Sequence, residues 1–132
     1  MERVRFIQHS GQRVLLIDYS GLADESDFLA LIERRKQIVD AEPPQSLLTL
    51  TDVTNAHCTR NVLEAMKLAG VMDRPHLKRA AIVGTDSVFP QGTSNAIESF
   101  TARHWARFQT RDVALDWLVS DAEANSAYPV KG

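Results

Sequence analysis

An α/β domain built on a mostly parallel sheet is what this sequence predicts, and three observations carry the prediction. Short apolar runs at 14–17, 47–50 and 80–83 have the length and composition of buried strands. Segments of helical period alternate with them. The two leading strand-like stretches are joined by His9-Ser10-Gly11-Gln12, a glycine-bearing connection of hairpin length, so the chain is expected to open on an antiparallel pair.

Each element follows from its residues. Strands are expected over 4–8 and 13–19, with Gly21 breaking the second. Asp24 with Asp27 resembles a capping box ahead of Phe28, Leu31, Ile32, Ile38 and Val39, which recur at helical spacing to about Asp40. Pro43-Pro44 ends that helix, because proline lacks the amide donor and disfavours helix in the residue before it. A buried strand is expected over 46–51. After Asp52 and a polar loop over 53–58, a second helix should place Val62, Met66, Ala69 and Met72 on one face, capped by Asn61 with Glu64. Asp73-Arg74-Pro75 stops it. The run 78–84 predicts another buried strand, whose glycine opens a turn at Thr85, Asp86 and Ser87. Pro90 and Gly92 delay a third helix to about Asn95, with Ala96, Ile97, Phe100 and His104 on one face. A short strand over 105–109 follows. Thr110 then caps a last helix with Val113, Ala114, Trp117 and Leu118 as its buried stripe.

With 132 residues, 44% of them hydrophobic and 24% charged, the chain fits one domain over 1–120 and a poorly ordered tail over 121–132. The formal charge of -2, from 15 basic and 17 acidic residues, offers no field to gather nucleic acid or anionic membrane. Arg34-Arg35-Lys36 and Arg103, Arg107 and Arg111 read as solvated surface, able at most to steer an acidic partner. One cysteine, Cys58, excludes an internal disulfide. The leading residues lack the apolar run of a signal peptide and no stretch reaches membrane length, so a cytoplasmic protein is expected.

The order β-β-α-β-α-β-α-β-α, over about residues 4 to 119, resembles the STAS domain shared by sulfate transporters and anti-sigma-factor antagonists. It is most similar to the small stand-alone SpoIIAA-like bacterial proteins. The carriers are Val14-Leu15-Leu16-Ile17-Asp18 leading to Gly21, Leu48-Thr49-Leu50-Thr51-Asp52, and Lys78-Arg79-Ala80-Ala81-Ile82-Val83-Gly84. The most specific is the ending Phe108-Gln109-Thr110-Arg111-Asp112-Val113-Ala114-Leu115-Asp116-Trp117-Leu118. The resemblance implies a non-catalytic regulatory module that binds a protein partner. Some members of the subgroup are similar to CRAL-TRIO lipid-transfer domains, which implies the alternative of a small apolar ligand.

The resemblance places Thr59 at the family's phosphoacceptor position, within a partner-binding stretch that takes in Asp52, Thr54, Cys58 and Arg60. The family's motif there is Asp-Ser-Ser-Gly, whereas this chain has Cys58-Thr59-Arg60-Asn61, without the aspartate and the glycine. Thr59 therefore reads first as an N-cap, although a helix N-terminus does suit a phosphate. Cys58 beside His57 is a nucleophile only if a third group orients the histidine, and none is identifiable, so a partly buried thiol is expected.

Asp18, Asp52 and Asp86 fall at the carboxyl ends of expected strands, the edge where open α/β sheets collect ligands; loop and cap hydrogen bonding is the reading preferred over a magnesium-type site. The apolar-ligand alternative would use Met66, Met72, Phe89, Ile97 and Phe100. His9, His57, His76 and His104 have no metal-ligand spacing, and neither a metal nor a cofactor is expected. Nucleophile-elbow, P-loop and dinucleotide signatures are absent, so no enzyme is expected. Exposed helix faces would allow a homodimer.

Overall fold

A computed structural model describes residues 2–88 and 104–120. The chain opens on a hairpin of β1 (Val4–His9) and β2 (Gln12–Asp18), antiparallel with His9 opposite Gln12. The two-residue turn between them holds Ser10 at φ 51° and Gly11 at φ 79°. That pair of positive values matches the twist of the flanking strands.

Three further strands add in chain order, β3 (Leu47–Asp52), β4 (Leu77–Val83) and β5 (Ala106–Phe108), each parallel to its predecessor. The five-stranded sheet therefore runs β1-β2-β3-β4-β5 without a reversal of strand order. Among the described residues the helices are α1 (Glu25–Asp40), α2 (Arg60–Asp73), the single turn α3 (Thr85–Val88) and α4 (Arg111–Leu118), with a 3-10 turn at Arg74–His76. The α/β class, the hairpin start and the mostly parallel sheet agree with the sequence. The helix expected from Asn95 and the tail expected over 121–132 lie outside the described residues.

Successive strand residues point to opposite faces, and this alternation builds two cores. Leu15, Ile17, Leu47 and Ile82 meet Phe28 and Val39 of α1 and Val62 and Met66 of α2. Val14, Leu16, Leu48, Leu50, Ala81 and Val83 meet Ala114, Leu115 and Leu118 of α4. Every residue of β3 is buried because both of its faces are covered.

Four expectations need correction. Helix α2 starts at Arg60 and its cap is Thr59, whose Oγ1 accepts from Val62 N at 3.2 Å; Asn61 already lies inside the helix. Met72 is exposed because it stands about one and two-thirds turns from Met66, on a different face. Val113 is exposed as well, and Leu115 takes the core position beside Ala114 and Leu118. Arg35 is not surface: with Phe28, Ile32 and Val39 it occupies the stripe of α1 that faces α2 and the sheet, and it is only 4% exposed.

Candidate functional site

Two strands end in the same way at the carboxyl edge of the sheet. Asp18 and Asp52 are partners in the parallel register of β2 and β3. Asp18 Oδ1 accepts from Ser20 N at 2.9 Å and Ser20 Oγ at 2.6 Å, and Asp52 Oδ1 accepts from Thr54 N at 2.9 Å and Thr54 Oγ1 at 2.6 Å. Each aspartate thus fixes the turn that leaves its strand, as expected of aspartate after a strand.

What the sequence did not indicate is the cation that joins the two carboxylates. Arg111, the first residue of α4, donates through Nε to Asp52 Oδ2 at 2.6 Å, and its Nη2 lies 3.2 Å from Asp18 Oδ1. Thr110 places it by capping α4, accepting from Val113 N at 3.3 Å. Arg111 therefore clasps the helix of one layer to the ends of two central strands. Burial works to raise the Asp18 carboxyl, but the Ser20 hydrogen bonds and the Arg111 charge outweigh it and hold the group below its ordinary value. With a guanidinium between them, these carboxylates have a protein counter-ion. Among the described residues no group of three or more His, Cys, Asp or Glu could hold a metal ion.

Asp86 does not join the clasp. It lines a separate groove of about 430 Å³ with Thr54, Gly84, Thr85, Ser87 and Arg107. Arg107 Nε donates to Thr85 Oγ1 at 3.2 Å, and Ser87 Oγ accepts from Asn55 N at 2.9 Å, so the groove walls are tied to each other. Gly84, at φ 90°, lets the β4 end pass against Thr54, where a Cβ would stand 2.6 Å from the Thr54 Cα.

The phosphoacceptor candidate is engaged at both of its faces. Besides capping α2, Thr59 Oγ1 donates to Glu25 Oε1 at 2.6 Å, and Asn61 Nδ2 donates to Glu25 Oε2 at 3.3 Å. Glu25, at the start of α1, is thereby tied to the start of α2. Arg60 is exposed beside this junction. Cys58 is half-buried, and burial pushes its thiol up to about 11, the opposite of what nucleophilic chemistry near neutral pH needs.

Beneath α1 and α2 lies a small, partly open cavity of about 20 Å³, lined by Tyr19, Arg35, Thr49, Thr51, Met66 and Asp73 among others. Arg35 Nη1 and Asp73 Oδ2 form an ion pair whose side chains are 5% and 9% exposed. Removing such charges from water costs on the order of several kcal/mol per ion, so the pair is a demanding feature of the interior. Tyr19 stacks on Phe28 at 4.9 Å, and burial raises its phenol well above the ordinary value despite the neighbouring Arg35 charge. Of the apolar set expected at a ligand site, Met66 lines this cavity and Met72 faces solvent. Phe89, Ile97 and Phe100 lie outside the described residues, as does Arg103.

Sequence reasoning missed Arg111, Glu25 and the Arg35–Asp73 pair. The spacing of Phe28, Ile32, Arg35 and Val39 could have flagged Arg35, since it places a charge within an apolar stripe. No spacing signal links Arg111 to Asp18 and Asp52, because their proximity comes from the sheet register and the docking of α4. No helix among the described residues is long and apolar enough to cross a membrane. No family model, curated protein or solved structure matches the chain.

Proposed function

We propose that the chain is a non-catalytic regulatory module of STAS type that binds a protein partner along α2. The observation that carries the reading is the apolar edge of that helix, where Leu68, Val71 and Met72 are 61%, 53% and 44% exposed although Val62 and Met66 of the same helix pack on the core. These positions share one side of a helix. Arg60 and Arg74, both exposed, stand at its two ends, so the complementary partner is a protein surface with apolar side chains flanked by carboxylates.

The cap of the same helix supports a switch. A phosphate on Thr59 would meet the favourable end of the α2 dipole and Arg60, but it would remove the hydroxyl that donates to Glu25 and set a dianion against that carboxylate. The start of α1 would then be released from the start of α2, next to the docking edge.

The test is affinity capture with the wild-type chain, L68E/M72E and T59E, each first checked for unchanged folding by circular dichroism. A partner retained by the wild type and lost from both variants is the expected result. The same proteins on the wild type and L68E/M72E would refute α2 as the docking face.

A further inference from the structure

The groove of about 430 Å³ beyond the carboxyl ends of β4 and β5 holds a cation and an anion that do not pair with each other. Arg107 and Asp86 both line it. Among the described residues the Arg107 guanidinium has a single partner, the Thr85 hydroxyl that accepts from Nε at 3.2 Å, and the Asp86 carboxylate has none. Opposite charges set in one concavity without contact leave a space that either charge alone would find half hostile. We propose that this groove binds a small zwitterion, an amino acid of short chain, with its carboxylate on Arg107 and its ammonium on Asp86.

The sheet and one buried hydroxyl place the cation. Parallel register sets Arg107 beside Ile82 and Phe108 beside Val83, so β5 delivers Arg107 and Gln109 to the edge where Gly84 leads the chain into Thr85 and Asp86. Thr85 is only 4% exposed, and its Oγ1 holds one edge of the guanidinium. With Nε committed, Nη1 and Nη2 still present parallel N–H groups that match the two oxygens of a carboxylate. The Thr85 hydroxyl accepts from Arg107, and among the described residues its own proton has no acceptor. A buried donor in that condition is the exception in native proteins, and a carboxylate oxygen on Arg107 supplies what it lacks. A side chain held in place beforehand also loses less rotamer freedom on binding.

Charge selects the class of ligand. A simple carboxylate meets Arg107 but also the Asp86 anion, and a simple amine meets Asp86 but also the Arg107 cation, whereas a zwitterion gains at both. Asp52 does not compete for the ammonium, because one of its oxygens takes the Arg111 guanidinium and the other the Thr54 hydroxyl. The volume falls within the range of about 300–1,000 Å³ usual for small-molecule sites. Thr54, Ser87 and Gln109 give the remaining wall a polar character that suits an amino acid better than a lipid. No described residue of α2 lines the groove, so the inference is independent of the docking role of that helix.

The experiment is a chemical-shift titration of the full chain, at constant ionic strength, with glycine, β-alanine and 4-aminobutyrate, and with propionate and propylammonium as singly charged controls. Saturable shifts at the Asp86, Ser87 and Phe108 amides are expected with at least one of the three zwitterions and with neither control. Arg107→Gln and Asp86→Asn alter exposed side chains, so both variants should keep the wild-type spectrum elsewhere, and each should weaken that zwitterion about tenfold or more. Propionate binding as tightly as the zwitterion, with no loss in Asp86→Asn, would overturn the zwitterion assignment. Undiminished binding to Arg107→Gln would place the ligand elsewhere and overturn the site. No saturable shift with any of the three zwitterions would overturn the proposal.

Discussion

Replacing Arg111 with methionine keeps the helical length of α4 and removes the charge that joins it to the sheet. Asp52 would lose its 2.6 Å charge-assisted hydrogen bond and Asp18 its 3.2 Å contact. A hydrogen bond to a charged group contributes about 1.5–3 kcal/mol, and the lower end applies because the Arg111 side chain is 36% exposed. The Asp18 contact adds about 0.5 kcal/mol on the scale of exposed pairs. Taking the shared cation from two neighbouring carboxylates, of which Asp18 keeps only Arg3 at 3.9 Å, adds about 1 kcal/mol of repulsion at an effective dielectric between those of water and the interior. The sum is about 3 kcal/mol, which lowers Tm by about 10 °C for a domain of this size. The assay is denaturant and thermal unfolding of the wild type, R111M, D52N and R111M/D52N. Part of the loss should return in the double variant, where the unpaired carboxylate is gone and the amide oxygen introduced by D52N can still accept from Thr54. A Tm drop below about 2 °C in R111M, or no coupling in the cycle, would refute the clasp.

Two further outcomes follow from the same edge of the sheet. The Asp18 carboxyl lies below its ordinary value in the folded chain, so it contributes stability at pH above the unfolded value of about 3.9 and that contribution is lost as pH falls through the folded value; urea unfolding between pH 5 and 2.5 should show a steeper acid loss in the wild type than in Ser20→Ala, which lacks one of the hydrogen bonds responsible. Gly84→Ala combines a positive φ of 90° with a Cβ 2.6 Å from the Thr54 Cα, so it should cost about 3 kcal/mol or more, read as a shift in denaturation midpoint without a change in slope.

Which parts of this were legible in the sequence depends on how far apart the cooperating residues lie. The cap residues Asp24 and Thr110 act on amides two or three positions ahead, and their side chains do accept there. The turn hydrogen bonds of Asp18 and Asp52 are equally local. Thr59 belongs to both kinds: its capping is local, whereas its bond to Glu25 spans two helices. Arg35 and Asp73, on different helices, become a pair only where α1 and α2 pack against the sheet.

The sequence by itself determined the order of the strands, the hairpin and the alternation of buried faces. These arise from hydrophobic period, proline and glycine placement and short-range capping, all of which act within a few residues. Tertiary structure alone decided that Arg111 would serve as counter-ion to the ends of two strands. It also decided that a charged residue of α1 would lie inside the core and that α2 would leave Leu68, Val71 and Met72 in solvent. The physical reason is that charge pairing and burial depend on distance in space, and that distance is set only when the register of the parallel strands and the docking of both helical layers have been fixed.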